Sequence, residues 1–348
     1  MAVKERVEWI DLVRAIAILT VLFVHASDGI YILNANDAIQ LTMSSRLFEY
    51  VALFIGRIGV PFFLMITGFL LLDRSYSDEK TQKFWRINCK NLIIVTVIWT
   101  IIYALSIYAL VDLSSGVDVT EAGNLFFSHM WYMPMIIGMY ISIPFVASAL
   151  DGFDEKTINM ALIVFAIMAF IVPFLSVLAD MNGIKDFSIQ FSLGFSGGVY
   201  GIYIILGYLV KKDYFKKYSS KLIALVAIVS FVMCVLFEYY SFIRGYDFFL
   251  WYDFPFILTG SYALFELCSR IKHVKNYRLV HFLSKYSFAV FLIHNLFRLP
   301  LLPYFADSSF SQPVKAILLW ILLIILSYIA AVIIYRIPKV GKFILYMR

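Results

Sequence analysis

The stretch WIDLVRAIAILTVLFVHASD, Trp9 to Asp28, decides the fold. It is apolar enough and long enough to cross a membrane, since a helical span needs about 20 such residues. Yet Asp11, Arg14 and His25 stand inside it. A charge at the bilayer centre costs about 3 kcal/mol on insertion scales, so such residues face a protein interior or a watery cavity. Asp11 and Arg14 are three apart and share a helix face. His25 lies eleven residues beyond Arg14, about 16 Å further along and about 20° off that face. One stripe thus presents a charged pair low and an imidazole high. An ion pair that ties helices together, with a histidine at the outer interface, would produce the same pattern. At this point both readings stand.

Composition generalises the reading. Of 348 residues, 62% are hydrophobic and 15% charged, with a mean hydropathy of +0.86. Soluble domains carry roughly 25% charged residues, and no soluble core could hide this much apolar surface. The chain is an integral membrane protein, expected in the cell (inner or plasma) membrane as a multi-pass species in contact with lipid. Its net charge of +6 does not indicate nucleic acid, because the basic residues sit in short segments between apolar runs. Cys89, Cys234 and Cys268 show neither paired nor metal-ligand spacing and read as packing residues. Lys4 and Arg6 before an apolar run resemble a secretory signal, but Asp11 and Arg14 interrupt the run, which favours a retained first helix.

Ten apolar runs are long enough to span: roughly 9–27, 47–72, 91–113, 129–150, 159–179, 192–210, 222–241, 250–269, 281–303 and 314–336. They are continuous rather than alternating, which excludes a β-barrel. The expected class is an all-α polytopic membrane bundle, one transmembrane domain over 1–348 without a separate soluble domain. With the N-terminus inside, the cytoplasmic segments hold 21 Lys and Arg and the outer loops only Arg46, Lys185 and Arg244. That asymmetry puts both termini in the cytoplasm. It also puts the 114–128 loop, with Asp118 and Glu121, outside. Arg298 and Lys315 lie near outer helix ends and are expected to snorkel. Arg57 sits close to the middle of the second span and calls for a partner or a cavity. Glu238 is an interfacial acid or a partner for Arg244.

Further polar residues collect in the outer halves of their spans. His25, His129 and His294 are all there under this orientation, and Asn295 adjoins His294. A lone buried histidine is commonly a packing residue; three at comparable depth suggest a polar cavity. No two share a helical HxxxH spacing and no thiolate or carboxylate accompanies them closely, so a metal site is not expected. In HMWYMPMIIGMYISIP, 129–144, Trp131 and Tyr132 suit either an interfacial belt or the lining of that cavity. GRIGVPFFLMITGFLLL, 56–72, is loosened by Pro61 and three glycines, which close helix packing would explain.

Taken together, these segments resemble the acyltransferase-3 family of integral membrane acyltransferases. Asp11, Arg14 and His25 match its D-x-x-R…H pattern in the first helix. RIGVPFFLMITGF matches its second-helix motif, with Thr67 where serine is common. HMWY, 129–132, matches an H-L-W-F/Y segment with Met130 for Leu, and SKYSFAVFLIH, 284–294, a late S-x-x-S…F-x-H segment. The resemblance covers nearly the whole chain and lies nearest the surface-glycan O-acetyltransferase branch.

The resemblance implies transfer of an acetyl group from cytoplasmic acetyl-CoA, a substrate rather than a resident cofactor, to a hydroxyl of a surface or lipid-linked glycan. Histidine, with an unperturbed pKa near ~6.5, suits the general base that such a hydroxyl needs, and His25 is the expected one. Arg14 and Arg57 would hold phosphate or pantetheine oxygens or stabilise the oxyanion. Asp11 would hold Arg14. His129, Trp131, Tyr132, His294 and Asn295 would line the cavity or meet the acceptor. A transporter or flippase of a lipid-linked glycan is the competing reading, weakened by the lack of an internal repeat.

Overall fold

The computed structural model describes residues 7–35, 41–110, 128–184, 198–246, 248–306 and 308–347. Lys4, Arg6, Lys185 and Arg348, and the 114–128 loop up to residue 127, with Asp118 and Glu121, lie outside the described residues. Among the described residues every regular element is a helix. The protein is an all-α polytopic helical bundle, with eight described helices long and apolar enough to cross a membrane.

In chain order the helices are α1 (Glu8–Ala35), α2 (Met43–Arg57), α3 (Gly59–Leu71), α4 (Asp78–Phe84) and α5 (Lys90–Leu110). A 3-10 turn, Ser128–Trp131, leads into α6 (Tyr132–Gly152), followed by α7 (Glu155–Ala166), α8 (Val172–Met181) and α9 (Gly198–Lys211). Then come α10 (Ser220–Ile243), α11 (Pro255–Ser269), α12 (Tyr277–Ala306), α13 (Gln312–Tyr335) and the short α14 (Gly341–Ile344). Eight of the ten apolar runs hold helices long enough to span, with α2–α3 and α7–α8 each taken as one rod. The other two hold α9 and α11, of 14 and 15 residues. At 1.5 Å per residue α1 is about 42 Å long, more than the ~30 Å of a hydrocarbon core.

Local chemistry explains the breaks. α2 and α3 form one apolar rod interrupted at Ile58. Pro61 lacks the N–H that would have bonded to the Arg57 carbonyl, so the ladder skips a rung and resumes at Phe62 N–H to Ile58 O, 3.1 Å. Ser77, Asp154 and Ser219 cap α4, α7 and α10 with side-chain oxygens. The side chain of Asp154 accepts from the Thr157 N–H, and hydrogen bonding from the Thr157 side chain first and that N–H second holds its carboxyl below the usual carboxylate range.

The chain divides into two compact units. The first comprises 1–21, 46–75 and 143–284. There Trp9 meets Phe69 and Phe265 edge-on at 4.9 and 5.5 Å. α3 and α9 touch backbone to backbone: a Cβ on Gly68 would land on the Ile204 carbonyl, and one on Gly207 on the Met65 carbonyl. Small residues at such crossings are what membrane helices use in place of a hydrophobic drive. α10 and α11 meet at Gly260, whose missing side chain makes room for Phe54 and Ser230, and Ser230 and Thr259 share a 2.8 Å hydroxyl bond. Arg244 donates to the Met181 carbonyl at 3.2 Å. Of the two readings offered for Glu238, an interfacial acid or a partner for Arg244, the second is corrected: Arg244 is bonded to the carbonyl at the end of α8.

The second unit comprises 22–45, 76–142 and 285–348. Trp99 donates to the Ile344 carbonyl at 3.0 Å and Tyr103 to the Leu292 carbonyl at 2.7 Å. Phe23 packs edge-on against Trp320. On the far face of α5, Ile93, Val97, Ile101 and Leu105 recur every fourth residue and are exposed, which is the pattern of a stripe facing lipid tails.

The α3–α9 crossing yields a test. Gly207→Val should cost about 3 kcal/mol or more, the upper range of overpacking, because backbone rather than a flexible side chain blocks the new methyls. Gly138, whose Cβ would meet nothing within 4 Å, provides the comparison. Thermal unfolding in detergent should drop clearly for Gly207→Val and little for Gly138→Val; equal melting of the two would contradict the crossing.

Candidate active site

Three histidines far apart in sequence converge in the second unit. His25 comes from α1, His129 from the 3-10 turn that opens α6, and His294 from α12. The His294 ring lies 5.0 Å from His25 and 5.1 Å from His129, centre to centre. Tyr103 presents an edge contact to His129 at 4.8 Å, and Phe291 touches His129, His294 and Tyr132. His129 and His294 are buried, while His25 is only partly buried and is the most exposed of the three.

The tautomer of His294 follows from its partner. Its Nδ1 lies 2.7 Å from the Phe291 carbonyl oxygen. A carbonyl only accepts, so Nδ1 carries the hydrogen and Nε2 carries a bare lone pair. That Nε2 is buried and has no hydrogen-bond partner among the described residues. A buried acceptor left unmade is costly; a hydroxyl or a water arriving here would relieve it.

Arg298 braces the cluster. It is 7% exposed, donates from Nε to the His25 carbonyl at 2.8 Å and from Nη1 to Asn295 Oδ1 at 2.9 Å. The expectation that Arg298 snorkels is thereby corrected, and Lys315 is buried as well. A guanidinium near a helix end can extend to water, but here carbonyl and amide acceptors lie within reach and hold it inside. Gly29, one turn beyond His25, leaves the space: a Cβ there would press on Leu302 and the Arg298 guanidinium. Sequence reasoning missed this residue, although Asn295 and Arg298 at i,i+3 were a signal. Asn295 is fully buried, and Trp131 lies beside Tyr132 in ring contact at 6.2 Å.

Asp11 and Arg14 belong to the first unit. Asp11 is 1% exposed and accepts from Tyr277 at 2.8 Å and Ser284 at 2.7 Å. Arg14 reaches it at 3.4 Å and His281 Nδ1 stands 3.5 Å away, both long. The strong bonds of this carboxylate are thus to two hydroxyls of α12, and Arg14 remains partly exposed. Nearby, the Glu8 carboxylate accepts from the Val274 N–H.

Arg57, also in the first unit, is buried at the break between α2 and α3. Its Nε donates to the Leu250 carbonyl at 3.1 Å, and its guanidinium lies over the rings of Phe249, Trp251 and Tyr252. The midplane cation therefore has the partner that sequence demanded, in the form of a backbone acceptor and aromatic faces. Among the described residues, no group of three or more His, Cys, Asp or Glu stands close enough to hold a metal ion.

The fold defines a polytopic helical membrane protein, and within its second unit three imidazoles stand together beside Arg298. The family follows: a model described as an acyltransferase domain matches residues 7–336, and the chain belongs to this acyltransferase-3 family. It is a membrane acyltransferase. No curated protein and no solved structure matches it.

Proposed function

We propose that the protein transfers an acetyl group from cytoplasmic acetyl-CoA to a hydroxyl of a surface or lipid-linked glycan. We place it in the cell membrane, with ten spans and both termini cytoplasmic. The observation that carries the reading is the histidine cluster: one accessible imidazole, His25, beside a second whose lone pair is fixed. A sugar hydroxyl is a weak nucleophile until a base takes its proton. In the proposed reaction His25 accepts that proton as the hydroxyl oxygen bonds to the thioester carbonyl carbon. The tetrahedral oxyanion then collapses, the carbon–sulfur bond breaks, and the departing coenzyme A thiolate takes the proton from His25. The Nε2 lone pair of His294 stays available to the acceptor hydroxyl or to the proton-bearing His25. Arg298 fixes the backbone at His25, and His129, Trp131, Tyr132 and Asn295 bound the space.

Arg14 is assigned to the donor, and Asp11 to holding Arg14 while bonding α12. Arg57, expected at the donor or the oxyanion, is better suited to holding the 249–252 segment that it touches. The test is coenzyme A release by protein purified in detergent, with acetyl-CoA and a panel of lipid-linked and free glycans. Acetylated glycan should appear in step with free thiol. No acetyl transfer to any glycan, with active transfer to a different hydroxyl class, would overturn the acceptor; preference for a longer acyl-CoA would overturn the acetyl donor.

A second expectation concerns Arg14. Tyr277 and Ser284 keep Asp11 bonded without it, so Arg14→Ala should fold. Loss of a charged hydrogen-bonding partner should weaken acetyl-CoA about tenfold or more, measured by calorimetric titration. Unchanged affinity in a folded variant removes Arg14 from the donor site.

A further inference from the structure

The first unit carries a concave feature whose lining includes none of the residues given a role in the transfer. It lies between α8 and the segment 248–254 and has a cavity of about 410 Å³, the scale of a small-molecule site. Phe174, Phe248, Phe249 and Trp251 supply aromatic walls, and Asp253 brings a carboxylate into the lining. We propose that this cleft binds a neutral sugar ring, as a holding site for the glycan acceptor; it rests on the glycan reading above.

The segment is built to keep its shape. Arg57 holds the Leu250 carbonyl, Tyr203 donates to the Tyr252 carbonyl at 2.8 Å, and Trp251 Nε1 donates to the Tyr200 hydroxyl at 3.3 Å. At the rim Tyr246 donates to Asp180 at 2.8 Å. So many contacts on a short irregular segment fix its rings before any ligand arrives, and binding then spends little entropy on ordering them.

The lining selects among ligand classes. A flat aromatic face favours the C–H side of a sugar ring, and a carboxylate accepts hydrogen bonds from paired hydroxyls. Among the described residues no cation pairs with Asp253, and beyond the bond to its own N–H its carboxylate keeps acceptor capacity for such donors. A quaternary ammonium would also suit aromatic walls. However, the Arg57 guanidinium already lies 4.6 Å from the Trp251 ring centre and 4.8 Å from that of Phe249, and like charge opposes a second cation there. An anionic headgroup meets the Asp253 carboxylate. A neutral polyhydroxylated ring offends neither. A plain interfacial aromatic belt would account for exposed rings such as Phe249, 52% exposed, but it needs neither a cleft nor a lining acid.

Saturation-transfer NMR on purified full-length protein, with free hexoses and N-acetylhexosamines as probes, tests the proposal. The expected result is saturation of sugar ring protons, lost in Trp251→Ala and weakened about tenfold or more in the isosteric Asp253→Asn. It should persist in Tyr304→Ala, which removes an exposed aromatic elsewhere. No saturation in folded wild-type protein, equal loss in Tyr304→Ala, or saturation of tetramethylammonium instead would overturn it. Acetyl transfer to glycans without sugar contact at these rings sinks this site and leaves the transferase reading standing. Sugar contact without any acetyl transfer does the reverse.

Discussion

His25→Gln should lower acetyl transfer by about 10²–10⁴-fold while the protein still folds and still binds acetyl-CoA. That range is what a positioned general base contributes. Glutamine keeps polarity and much of the volume but cannot take the proton near neutral pH. The brace is insensitive to the exchange, because Arg298 grips the backbone carbonyl of residue 25 rather than its ring. A packing histidine would behave in the opposite way, with lower stability and nearly unchanged turnover per folded molecule. His129→Gln and His294→Gln are expected to lose less, since both rings are buried while His25 is the more exposed. Turnover should be measured per folded molecule, with folding judged by size-exclusion elution and melting. Near-normal turnover in a stable His25→Gln variant would falsify the assignment, and a full loss in His294→Gln would then transfer the role to its Nε2.

How much of this was legible in the chain alone depends on the range of the interaction. Hydrophobic runs are local, so each expected span holds a helix, and the break near Pro61 follows from one missing N–H. The stripe of Asp11, Arg14 and His25 follows from the 3.6-residue repeat. What periodicity cannot supply is a partner hundreds of residues away. Tyr277 and Ser284 reach Asp11 from 266 and 273 residues along the chain, and Leu250 accepts from Arg57 across 193. Arg298 illustrates the error this causes: its position near a helix end suggested water, and only the folded chain brings it the His25 carbonyl. The histidines were found because imidazoles are rare in an apolar chain, and their common depth could be counted from helix ends. Their actual proximity could not.

Asp11→Ala is the second large effect, and it is expected in stability before activity. The substitution removes the acceptor for the Tyr277 and Ser284 hydroxyls and the carboxylate that Arg14 reaches at 3.4 Å. Breaking a buried charged cluster costs 3–5 kcal/mol in soluble proteins, about what removal of one ion-pair partner costs. Interhelical bonds in membranes average nearer 0.6 kcal/mol, because the unfolded chain also finds partners. Two short bonds to a carboxylate lie between these limits, so a loss of about 3 kcal/mol is expected. Tyr277→Phe and Ser284→Ala should each cost about 1–2 kcal/mol, and each should couple to Asp11→Ala in a double-mutant cycle. Unfolding in detergent or mixed micelles gives all these values. If Asp11→Ala instead melts like the wild type but loses turnover on the scale expected of His25→Gln, the carboxylate takes part in the reaction itself. Coupling to both hydroxyls with a matching loss of stability ties α1 to α12 through Asp11, and leaves proton transfer to the histidines.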